Sequence, residues 1–109
     1  MGKSVFIGLP LPIAIGLLFS IPAEADSGTV VYKQGGCDYF VVETSSGFDV
    51  LEWYGGYDPD KGDLLVGKFH EYGMKEIYDQ TSDSSLKIWV EDYDLSKESA
   101  LEKMVDECE

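Results

Sequence analysis

His70 is the one histidine of this 109-residue chain, and Cys37 and Cys108 are its two cysteines. These are the side chains best suited to nucleophilic or metal chemistry near neutral pH. A cysteine–histidine pair needs a free thiolate as its nucleophile. A serine–histidine–aspartate set needs a hydroxyl held on a strained turn, and no G-x-S-x-G elbow occurs. Structural zinc favours clustered nitrogen and sulfur ligands, so two cysteines far apart in sequence plus one histidine make a poor set. Carboxylates that could pair as in a glycosidase are too plentiful to discriminate. Gly35-Gly36 and Gly55-Gly56 lack the lysine and the following helix of a phosphate loop. His70 is therefore read as a surface residue at the end of a strand. No catalytic residue, metal ligand or cofactor is assigned.

The stretch LEWYGGYDPDKGD (Leu51 to Asp63) gathers aromatics and then aspartates. An EF-hand loop wants oxygen ligands at positions 1, 3 and 5, glycine at 6 and glutamate at 12. Counted from Asp58, position 5 is Gly62, position 6 is Asp63, position 12 is Phe69, and Lys61 puts a cation inside the ring. A turn fits better, with Asp58 first, Pro59 second and Gly62 supplying a positive φ before the next strand. Strand alternation sends Leu51 and Trp53 to one face and Glu52 and Tyr54 to the other. Tyr54 and Tyr57 are the candidate binding residues, since exposed tyrosines beside glutamates suit a sugar or peptide groove. The competing reading buries the aromatics as barrel core.

Chemistry of this kind must be positioned by a small exported domain. Lys3, an apolar run from Val5 to Ile21 and the small-x-small step Ala23-Glu24-Ala25 follow the order of a secretory signal peptide. Cleavage after Ala25 is expected, with residues 1–25 as leader and 26–109 as one domain and no membrane span left after cleavage. The rival is a retained anchor, although the run is at the short limit for a span and holds Pro10 and Pro12. An even cysteine count in an exported chain reads as a Cys37–Cys108 disulfide, with free thiols or a metal site as alternatives. The net charge is −13 and the chain has no arginine. Nucleic-acid affinity comes largely from neutralising phosphates, so nucleic acid is excluded as a partner.

The elements are mostly strands. Strand-like runs occur at residues 28–34, 37–44, 48–54, 63–72, 73–79 and 86–92, with Gly47 ending a hairpin turn. In the run 86–92, Leu86, Ile88 and Val90 alternate with Lys87, Trp89 and Glu91. Beyond Ser96, an N-cap, the period changes: Leu101, Met104, Val105 and Cys108 form one helical stripe that aims Cys108 towards the sheet. The expected fold is mainly β, a small SH3-like or OB-like antiparallel barrel of five to six strands with one C-terminal helix.

The runs CDYFVVETSSGFDVLEWYGGY, GDLLVGKFHEYGMKEIYD and WVEDYDLSKESALEKM resemble a group of small exported bacterial proteins with no assigned activity. The resemblance implies a periplasmic or secreted domain and brings no catalytic residues with it. The expected role is non-catalytic binding of a protein, peptide or glycan partner in the cell envelope. One alternative is a small hydrolase or lyase using carboxylates around Tyr54, Tyr57 and His70. Another is a structural or inhibitory protein.

Overall fold

The computed structural model describes residues 25–109, so the leader expected at 1–25 lies outside it apart from Ala25. Six strands, β1 (Asp26–Lys33), β2 (Tyr39–Thr44), β3 (Gly47–Gly56), β4 (Leu64–Gly67), β5 (Gly73–Asp79) and β6 (Ser84–Leu95), precede one helix, α1 (Lys97–Cys108). They close into an antiparallel barrel in the order β1-β2-β3-β6-β5-β4. Two three-stranded meanders thus join edge to edge, through β1 with β4 and β3 with β6. This is the mainly-β barrel with a C-terminal helix expected from the sequence, now with its strand order.

Alternation decides what fills the barrel. Phe40 and Val42 of β2, Leu51 of β3, and Leu86, Ile88 and Val90 of β6 point inward and are buried. Val41 and Val50, paired across β2 and β3, point outward but are equally buried, because α1 covers them with Ala100 and Met104. The domain therefore has two apolar layers, one inside the barrel and one between barrel and helix. Ser96 caps α1 by accepting the Ser99 N–H at 3.1 Å. The docked stripe runs through Ala100, Met104 and Cys108. Val105, expected on it, is 49% exposed. Successive helical residues turn by about 100°, so Val105 stands roughly a quarter turn from the centre of that stripe.

Cys37 and Cys108 form a disulfide with Cα atoms 5.5 Å apart. The chain leaves β6 at one end of the barrel, and α1 runs back along β2 and β3 to the other end, where Cys37 lies just before β2. A formed disulfide fits an oxidising compartment outside the cytosol. No helix among the described residues is long and apolar enough to cross a membrane.

Two expectations need correction. The run 63–72 is not one strand, since β4 stops at Gly67. A Cβ at Gly67 would lie 2.3 Å from Ile77 Cγ2, so the backbones approach closely there. The chain then leaves the sheet and drops Phe69, fully buried, into the core. The turn before β4 also starts later than expected. Asp63 N–H donates to the Asp60 carbonyl at 3.0 Å, and Gly62 takes φ 98°, so Asp60 rather than Asp58 is the first turn residue. Asp58 instead pairs with Lys33 of β1, which also donates to the Pro59 carbonyl.

Candidate functional site

Two groups of side chains stand out, one outside the barrel and one at its end. The first is built by strand register. Tyr39, Glu52, Trp89 and Met74 are successive cross-strand partners on β2, β3, β6 and β5. They share the outer face beyond the edge of α1. Tyr54 follows on β3, where the pairing with β6 is irregular between Trp53 and Gly55. Tyr54 is 52% exposed, Met74 43% and Trp89 39%. Glu76 and Lys87, directly opposed on β5 and β6, sit beside them. A shallow depression of about 230 Å³ opens there, lined by Tyr54, Gly55, Gly56, Glu76, Ser85, Leu86 and Lys87. Tyr39 lies among Glu52, Glu91 and Glu107; its burial first, and then Glu52, push the phenol far above its usual range.

Of the two tyrosines singled out in the sequence, Tyr54 belongs to this face. Tyr57 is half-buried and packs against the barrel core, with its carbonyl accepting the Trp53 indole N–H at 3.0 Å. The two do not form one exposed pair. The heavy aromatic content is thus split, with Phe40, Phe69, Trp53 and Tyr57 serving the core and Tyr54 and Trp89 the surface.

The second group surrounds His70, which lies in the loop between β4 and β5 and is half-buried rather than a strand-end surface residue. Four chain segments meet there. Asp26 opens β1, Ser46 lies in the β2–β3 turn, Asp49 is near the start of β3 and Asp94 near the end of β6. His70 Nε2 is 3.5 Å from Asp49 Oδ2 and 3.3 Å from Asp94 Oδ1, and His70 Nδ1 is 3.3 Å from Asp26 Oδ1. Tyr93 stacks on the imidazole with centroids 5.6 Å apart. Asp26 Oδ2 also accepts the Phe69 N–H at 3.2 Å, which ties the loop to β1.

No family model matches this chain, and neither does a curated protein or a solved structure. Function is therefore argued from the side chains.

Asp49 is the unusual member of the His70 group. It has no exposed surface, and Oδ1 accepts the Asp94 N–H at 3.0 Å while Oδ2 has no hydrogen-bond donor among the described residues. Burial raises its carboxyl to about 6, against the opposing pull of the Asp94 amide and His70. A perturbed carboxyl beside His70 is what a hydrolase would require. Yet Asp49 lies fully buried, and Tyr54 and Tyr57 sit at and beyond the far end of β3. The constellation of Tyr54, Tyr57 and His70 does not assemble. The Ser46 hydroxyl donates to Asp94 Oδ1 at 2.7 Å and lies 3.5 Å from His70 Nε2.

The opposite barrel end holds a buried acidic pair. Asp63 precedes β4 and Asp79 ends β5, and both are buried. Asp79 Oδ2 has no hydrogen-bond partner among the described residues. Burial first, and then the hydrogen bond to Asp79, raise the Asp63 carboxyl above its ordinary value.

Sequence reasoning placed no role on Asp26, Asp49 or Asp94. One signal was available: in β3, Asp49 occupies the same alternation as Leu51 and Trp53, so an aspartate falls on the inward face.

Proposed function

We propose that this protein is an exported, non-catalytic binding domain of the cell envelope that takes a cationic peptide segment on the outer face of β3, β6 and β5. The cross-strand row of Glu52, Trp89 and Met74, with Tyr54 beside it, carries the reading. Trp89 and Tyr54 offer ring faces to an ammonium or guanidinium group. Met74 offers a soft apolar surface to the methylene stem of a lysine or arginine. Glu76 and Glu91 border the row, while Lys87 is opposed by Glu76. The net charge of −13 steers a cation towards the domain from a distance.

A peptide fits this surface better than a small ligand does. The depression of about 230 Å³ is below the size of an ordinary small-molecule pocket, roughly 300–1,000 Å³, but accepts a partner's side chain. The disulfide and the leader-like residues 1–25 support action outside the cytosol, after cleavage behind Ala25. The resemblance to small exported bacterial proteins points the same way.

The test compares peptides of equal length that are lysine-rich, neutral or glutamate-rich, together with neutral glycan oligomers. Tryptophan fluorescence of the wild type and of Trp89→Phe is followed for each. Binding of the lysine-rich peptide, weakened by salt and reported by Trp89, supports the reading. Preference for a glycan, or for no ligand, overturns it.

A further inference from the structure

We propose that Asp49, His70 and Asp94 form a binding site for one divalent transition-metal ion, with zinc as the preferred occupant. The site is separate from the peptide face and is carried by different observations. Three elements converge on it: Asp49 Oδ2 from β3, His70 Nε2 from the β4–β5 loop and Asp94 Oδ1 from β6. These ligand atoms all lie within 4.8 Å of one another.

The spacing fits a small ion. Zinc binds imidazole nitrogen and carboxylate oxygen at about 2.0–2.2 Å, which in a tetrahedron puts neighbouring ligand atoms roughly 3.3–3.6 Å apart. The two nitrogen–oxygen separations are 3.5 and 3.3 Å. Three protein ligands leave a fourth position towards solvent on the side of Asp94, and Ser46 Oγ stands 2.7 Å from Asp94 Oδ1 at that side.

Two further features point to a cation rather than to a chance cluster. The first is Asp49 Oδ2, a buried carboxylate oxygen without a hydrogen-bond donor, aimed at His70 Nε2. An oxygen in that position is costly unless a cation or proton satisfies it. The second is Asp26, whose Oδ1 lies 3.3 Å from the other imidazole nitrogen and whose Oδ2 is held by the Phe69 amide. A carboxylate on the far nitrogen of a metal-binding histidine fixes its tautomer and orients the ring. Here that arrangement presents Nε2 to Asp49 and Asp94. Imidazole with two carboxylates favours zinc and the other imidazole-binding transition metals over calcium and magnesium, which prefer oxygen alone.

The experiment uses untagged, chelator-treated protein, titrated with zinc by calorimetry and by NMR of the His70 ring. Because His70 is the only histidine, its ring signals report the site without ambiguity. One zinc per chain is expected, with the His70 signals shifting in step and manganese broadening the same signals. Asp94→Asn keeps the left-handed backbone of Asp94, φ 56°, which asparagine also tolerates, so it folds and should weaken zinc at least tenfold. His70→Gln should abolish saturable binding. Asp26→Asn leaves the three ligands intact and should weaken zinc by about 10–100-fold. No saturable zinc binding overturns the proposal. So does zinc that binds without moving the His70 signals, or with unchanged affinity in Asp94→Asn, since surface carboxylates would then be its ligands.

Discussion

Asp49 Oδ2 lies 3.5 Å from His70 Nε2, at a barrel end where Asp49 has no exposed surface. The contact joins the start of β3 to the β4–β5 loop, and Asp26 and Asp94 extend it to β1 and β6. A loop that leaves the sheet at Gly67 is thereby fastened to three strands. Phe69 fastens it from the other side, with its ring in the core and its amide on Asp26. Packing and polar contacts fix one loop, and both depend on the early end of β4.

Phe69→Ala should therefore do more than open a cavity. Deleting a fully buried phenylalanine costs about 3–5 kcal/mol, a large part of the stability of a small domain. It should also release His70 from its three carboxylates. Denaturant unfolding measures the first effect, and His70 ring shifts in the folded variant measure the second. A loss under about 1 kcal/mol would mean that the loop does not hold the core.

The disulfide spans 71 positions and anchors the free end of α1. In the chain-entropy account, closing so long a loop stabilises by about 4 kcal/mol. Cys37→Ser with Cys108→Ser should lower stability by that order. It should also uncover Val41 and Val50 beneath α1, seen as faster amide exchange in β2 and β3 than in β5. Uniform loosening across all strands would contradict the two-layer description.

Asp63 and Asp79 set the pH dependence at the other end. Burial and Asp79 raise the Asp63 carboxyl, with Asp60 N–H and Lys33 opposing. Tyr57 and the Asp60 carboxylate lie beside the pair. A carboxyl raised in the folded state contributes stability that is complete below its ordinary value. That contribution is lost as pH rises through the raised value. Asp63→Asn keeps a donor towards Asp79 and does not titrate. Its stability relative to wild type should thus rise from about pH 4 towards neutrality. Urea unfolding at several pH values checks this, and a constant difference would contradict the raised Asp63 carboxyl.

Much of the fold was legible because alternation and helical period reflect which face is buried. Leu86, Ile88 and Val90 read correctly as sharing one face, Ser96 as an N-cap, and Cys37 with Cys108 as a pair. Val105 and the run through Lys68 to Tyr72 misled for local reasons. A valine a quarter turn off a stripe keeps the helical period, and a loop whose phenylalanine buries imitates a strand. The His70 group was not legible. Its members come from positions 26, 46, 49, 70 and 94, brought together only by closure of the barrel. Tyr54 and Tyr57 were close in sequence yet diverge, since the first stays on the outer face and the second turns with the chain into the core.

Trp89→Ala removes an exposed side chain, so it should leave stability within about 0.5 kcal/mol of wild type while weakening peptide binding. An aromatic at the centre of a binding face is worth about 2 kcal/mol or more on truncation, close to a thirtyfold loss of affinity. A variant that unfolds, or one that binds as tightly as wild type, would remove Trp89 from the account.

The peptide face is tested most directly by backbone amide NMR during titration with a lysine-rich peptide. The expected shifts fall on Glu52, Tyr54, Met74, Glu76, Trp89 and Glu91, spare α1 and the His70 loop, and vanish in Trp89→Ala. Shifts spread over the acidic surface in general, or concentrated away from β3, β5 and β6, would contradict it.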